Sequence, residues 1–116
     1  MALALNVFKT ITKVVPANPV GIYTAPVGYA GVTILAQVAN TGETTETVTL
    51  SHKRSIAGIA VTTEIVKDFP VPANDTASFL DGKLVLESND VLMISGSSSN
   101  LKFTGSILET LKWWGE

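Results

Sequence analysis

The sequence predicts an all-β fold, an antiparallel β-sandwich or jelly-roll-like domain of about eight or nine short strands. Three observations carry this. Runs rich in Val, Ile, Thr and Phe recur with turn residues roughly every eight to twelve positions. No stretch sustains the apolar period of an amphipathic helix. In the last third, Leu84-Val85-Leu86, Val91-Leu92-Met93-Ile94 and Leu101–Leu108 read as strands, separated by Asn89-Asp90 and Gly96-Ser97-Ser98-Ser99-Asn100.

Taken in order, Ala4–Val15 is rich in β-branched residues, and Leu5, Val7, Ile11 and Val15 share one parity, as for a strand with one buried face. Pro16 and Pro19 break pairing. Gly21–Thr24 is a short strand closed by Pro26 and Gly28, and Val32–Val38 reads as a central strand. Asn40-Thr41-Gly42 then signals a turn into Thr45–Ser51, where Val48 and Leu50 alternate with Thr47, Thr49 and Ser51. These two runs form the best hairpin candidate in the chain. Their expected core is Ile34, Val48, Leu50, Leu86, Leu92, Ile94, Phe103 and Ile107. Ser55–Ala60 is apolar where a polar connection belongs. Val61–Phe69 resumes strand character, Pro70 and Pro72 force an extended exit, and Asn74-Asp75 turns the chain. Asp81-Gly82 suits a type I′ turn introducing Lys83–Glu87. The tail Leu108–Trp114 forms either one helical turn or an extension of the last strand.

Length bounds the chain to a single domain, 1–116, with 1–15 as an N-terminal strand or arm and 109–116 as a C-terminal tail. There is no cysteine, hence no disulfide and no thiolate metal site. Net charge is −2 with basic residues thinly scattered, which leaves no footprint for nucleic acid. Charged residues are 16% of the chain, against roughly 25% in an average globular protein, so apolar surface is expected to be covered by a partner. Val27–Ala39 is the longest weakly polar stretch and falls short of the roughly 20 residues of a membrane span. Met1–Val15 lacks a signal-peptide core, since Asn6, Lys9 and Lys13 interrupt it. The expectation is a soluble, non-secreted chain.

Residues with chemical potential are few. His52 is the single histidine and no G-x-S-x-G context exists, so it reads as a solvated strand end and catalysis is not expected. Asn74, Asp75, Asp81, Asn89 and Asp90 offer oxygen donors for calcium, but β-turns require the same residues. No metal or cofactor is expected. Trp113 and Trp114 point opposite ways in an extended strand, so one can fold back onto the sandwich core while the other is expected to be available to anchor an interface or stack on a sugar. Ile56 and Ile59, in the apolar connection, are candidate contacts worth roughly 3–6 kcal/mol if fully buried. The alternative for that connection is a fold-back that plugs one end of the sandwich. Leu5 and Val7 of the N-terminal strand complete the candidate interface, because a terminal strand can pair with a neighbour.

The succession Ile22–Gly28, Leu35–Gly42, Pro70–Asp75, Gly82–Leu86 with Asn89-Asp90, and Gly105–Glu109 resembles small virion structural proteins of tailed bacteriophages, particularly phages of marine bacteria and cyanobacteria. The resemblance covers Ile22–Glu109 and implies a β-sandwich accessory subunit of a head, neck or tail, with no active-site residues. The expected function is therefore non-enzymatic: a capsid decoration (cement) subunit of the virion, assembled in the host cytoplasm. It would contact major capsid or tail proteins and its own copies, with a trimer favoured by the resembled class. The alternatives are a neck, tail or baseplate accessory, or a host-surface carbohydrate-binding module using Trp113, Trp114, Tyr23 or Tyr29.

Overall fold

A computed structural model of the chain describes residues 6–80 and 82–111. These form nine strands and no helix: β1 (Asn6–Val14), β2 (Val20–Thr24), β3 (Tyr29–Asn40), β4 (Glu46–Ile56), β5 (Ile59–Val71), β6 (Thr76–Ser78), β7 (Leu84–Leu86), β8 (Val91–Gly96) and β9 (Leu101–Leu111). One antiparallel sheet has the order β1-β9-β3, with β6 and β7 both on the far side of β3; the other has the order β2-β8-β4-β5. Alternation builds the core between them. Leu101, Phe103 and Ile107 of β9, Ala36 and Val38 of β3, and Leu86 meet Val48, Leu50, Leu92 and Ile94 from the opposite sheet, all buried. The final run extends as strand to Leu111, which settles its form within the described residues.

The expected hairpin across Asn40-Thr41-Gly42 does not form. β3 pairs with β9, whereas β4 pairs with β5 and β8, so the connection crosses from one sheet to the other. Asn40 makes this crossing possible. Its buried amide donates to the carbonyls of Thr44 (2.8 Å) and Val71 (2.9 Å), and its side-chain oxygen accepts from Gly42 N–H (2.9 Å).

Ile34 is likewise outside the core. A bulge between Thr33 and Leu35 leaves it without a partner on β9, so the inward parity passes from Thr33 to Ala36, Val38 and Asn40, and Ile34 faces solvent. Asp81 lies outside the described residues, and the segment around Gly82 turns no hairpin. β6 and β7 are two pieces of one edge strand, both running antiparallel to β3, with a break in the ladder between them. β1 also departs from expectation, with eight of its nine residues exposed. It edges its sheet, and the facing edge strand β2 spans five residues, too few to cover it.

Candidate interaction surface

Ser55–Ala60 is a strand-to-strand hairpin end rather than an irregular connection. Ile56 and Ile59 are directly opposed, and Ala57-Gly58 closes the turn with φ of 53° and 80°, the type I′ geometry that matches the twist of flanking strands. The β4–β8 ladder stops at Lys53↔Val91, while β4–β5 pairing continues through Arg54↔Val61, Ser55↔Ala60 and Ile56↔Ile59. The hairpin therefore runs on beyond β8 as an arm that no other described strand pairs. Side chains on alternate rungs share a face, so Ile56, Ile59, Val61 and Arg54 lie on the side continuous with the sandwich interior. Ile56 is 54% and Ile59 66% exposed, so they do not plug the sandwich.

The same pole gathers most of the exposed apolar surface. β2 ends, β3 begins, β7 ends, β8 begins and β9 ends here, as the registers Thr24↔Val91, Tyr29↔Leu111 and Gly31↔Leu86 require. One to three residues in from their strand ends at this pole, Phe8, Leu108, Val32 and Val85 are opposed rung for rung across β1, β9, β3 and β7. Buried residues alternate with them along β9, so this row faces outward. Phe8 is 74% exposed at its edge. Val27, in the β2–β3 loop, and Val7, at the start of β1, add to the same pole. The exposed large apolar residues elsewhere are Val14, Ile34 and Phe69. Val14 and Phe69 lie at the opposite pole, which is otherwise built of polar loops, tied by Thr41 N–H to Asn100 O (3.0 Å) and by Ser97 and Thr44 hydroxyls donating to Glu46. Those two hydroxyls, Ser97 first, hold the Glu46 carboxyl below its usual range.

Buried polar groups fix this apolar pole. His52 is not a solvated strand end. It sits opposite Leu92, and its Nε2 lies 2.9 Å from Asp90 Oδ2, which also accepts from Glu87 N–H (2.9 Å) and faces Arg54 Nε at 3.3 Å. Arg54 reaches Glu87 as well, at 3.2 Å. Burial pushes the Asp90 carboxyl up, but the His52 bond, the Glu87 amide and the Arg54 charge outweigh it and hold the group below its ordinary value. The arm is thus braced at its base against the β7–β8 turn. A few rungs away, the Tyr23 hydroxyl donates to Glu109 at 2.6 Å, with Lys9 Nζ 3.5 Å from the same carboxylate. Burial, then this bond, raises the Tyr23 phenol well above its usual value.

The remaining sequence candidates separate accordingly. Leu5, Trp113, Trp114 and Asp81 lie outside the described residues. Tyr23 is buried and bonded, so its ring offers no stacking platform for a sugar. Asn74-Asp75 and Asn89-Asp90 lie at opposite poles and do not converge on a cation; Asn74 and Asn89 adopt φ of 58° and 69°, the left-handed turn conformation. Among the described residues, no group of three or more metal-ligating side chains forms. The ring of His52 has Asp90 as its hydrogen-bond partner, and no nucleophile bonds to it among the described residues. Phe8, Val27 and Val85 escaped the sequence reading; the available signal was Phe8, apolar on the parity opposite Val7 and Ile11.

Comparison with known proteins finds no matching family model, no matching curated protein and no matching solved structure.

Proposed function

We propose that this chain is a non-enzymatic structural subunit of a virion, a capsid decoration protein that adheres through its apolar pole. The observation that carries the reading is the concentration of exposed Val7, Phe8, Val27, Ile56, Ile59, Val61 and Val85 at one end of a sandwich whose other end exposes only Val14 and Phe69 among large described apolar residues. Such asymmetry suits a subunit that stands on a surface in one orientation. The resemblance in strand and turn order to tailed-phage virion proteins supplies the setting. Adhesion is the mechanism: the braced arm and the Phe8 row bury apolar surface against a neighbour and raise the free energy needed to separate the shell. Ile56 and Ile59 are already partly covered by their own chain, so their remaining burial contributes about 2–4 kcal/mol. Repeated over a shell, that is a substantial gain. The proposed assembly is a trimer on the particle surface, in contact with major capsid or tail proteins.

Quantitative mass spectrometry of purified particles tests this. The expected result is this chain at a high, fixed copy number relative to the major capsid protein, reduced by Ile56→Ser with Ile59→Ser. Absence from intact particles, or a trace abundance unaffected by those substitutions, rejects the proposal.

A further inference from the structure

We propose that the outer edge of β1, which pairs with no described strand besides β9, is a docking site for an extended, acidic segment of a partner polypeptide, added to the sheet as a further strand. The proposal stands on edge geometry and charge and does not require the virion setting. Each sheet has two edges, and three of the four are spoiled for strand addition. β2 is short, lies between Pro19 and Pro26, and shifts register after Gly21. β6 and β7 span three residues each and are split by a break in the ladder between Ser78 and Leu84. β5 carries irregularities opposite Val48–Ser51, a left-handed Asp68 (φ 49°) and Pro70.

β1 is continuous instead. Its nine residues pair with β9 without a shift, from Asn6↔Thr110 to Val14↔Lys102, with no proline and with exposure on both faces. A row of unused backbone donors and acceptors along such an edge is a template for another strand.

Charge decides what that strand is. Lys9 and Lys13 are opposed to Ile107 and Phe103, which point inward, so both lysines lie on the inner face of the edge. Lys102 lies beside Val14, and a shallow hollow lined by Thr12, Lys13, Val14, Lys102, Phe103 and Thr104 opens next to the strand. Glu109, already shared by Lys9 and Tyr23, is the acid at this corner. A chain of net charge −2 therefore carries a local cationic excess along its one continuous edge. Antiparallel pairing of two β1 strands centred on Ile11 would set Lys9 against Lys13 twice, which opposes self-association. A partner strand with acids four residues apart on one face meets both lysines, and an apolar residue on its other face extends the Phe8 row.

The probe is a synthetic peptide of sequence Glu-Thr-Val-Thr-Glu-Val, with a Lys-for-Glu version as its counterpart, titrated against the full chain by fluorescence anisotropy. Amide hydrogen exchange locates any binding. The acidic peptide is expected to bind with added protection of β1 amides, and to weaken as salt rises. The basic peptide should bind at least about tenfold more weakly. Lys13→Glu with Lys102→Glu, both exposed positions, should reverse the preference while circular dichroism stays unchanged. Equal binding of both peptides, protection elsewhere than β1, no binding at millimolar peptide, or concentration-dependent pairing of β1 with itself would each overturn the proposal.

Discussion

At Asp90, a histidine nitrogen, a backbone amide and a guanidinium nitrogen converge on one buried carboxylate oxygen. Those partners favour the ionised form, so the folded-state value lies below the unfolded value of about 3.9. The stability this contributes is present above that value and is lost as pH falls through the folded one. Asp90→Asn should therefore cost about 1.5–3 kcal/mol near neutrality. Thermal melts should show the gap to wild type closing as pH drops below about 3.9. A gap unchanged into strong acid would remove Asp90 from its bracing role. Tyr23 and Gly31 form a second fixture: a Cβ on Gly31 would meet the Tyr23 ring and hydroxyl at 2.8 Å. Gly31→Ala should destabilise by about 1–3 kcal/mol by overpacking, measurable by urea denaturation, and a neutral result would show that Tyr23 yields freely. None of this was legible in sequence. Asp90 looked like a turn residue and His52 like a strand end, because a contact across 38 residues leaves no local pattern.

The β4–β5 arm is the element on which the adhesive reading rests. Ala57 occupies a left-handed conformation that a Cβ disfavours, while Asn tolerates it well. Ala57→Asn should raise stability by about 0.5–1 kcal/mol and leave assembly untouched. Calorimetry tests this, and a lowered Tm would mean the turn is not type I′ in solution. Ile56→Ser with Ile59→Ser should shift stability of the isolated subunit by less than about 0.5 kcal/mol, since exposed positions bear little of the fold. Self-assembly should nonetheless fail. A large loss of stability would return both residues to the core.

At this level the sequence was informative where alternation was strict. Val48, Leu50, Leu86, Leu92, Ile94, Phe103 and Ile107 are inside as their parity demands. It misled at Ile34, where a one-residue bulge reverses parity. It also misled at Asn40-Thr41-Gly42, since the same turn residues serve a hairpin or a crossing between sheets. Only the buried side-chain bonds of Asn40 distinguish the two.

For the whole molecule, the decisive property is polarity along its length. Its described part measures 54 × 32 × 21 Å, with seven of its ten exposed large apolar side chains at one pole and mostly hydrogen-bonded polar loops at the other. The low charge content anticipated uncovered apolar surface, but composition carries no position. Placing Phe8, Val32, Leu108 and Val85 in one row required the strand registers. Light scattering on wild type and on a variant carrying Phe8→Ser, Ile56→Ser and Ile59→Ser addresses adhesion through this pole most directly. The predicted result is a wild-type homo-oligomer at micromolar concentration, a trimer by mass, and a folded monomeric variant. A clean wild-type monomer that also fails to bind capsid particles, or a variant that assembles as wild type does, would contradict it.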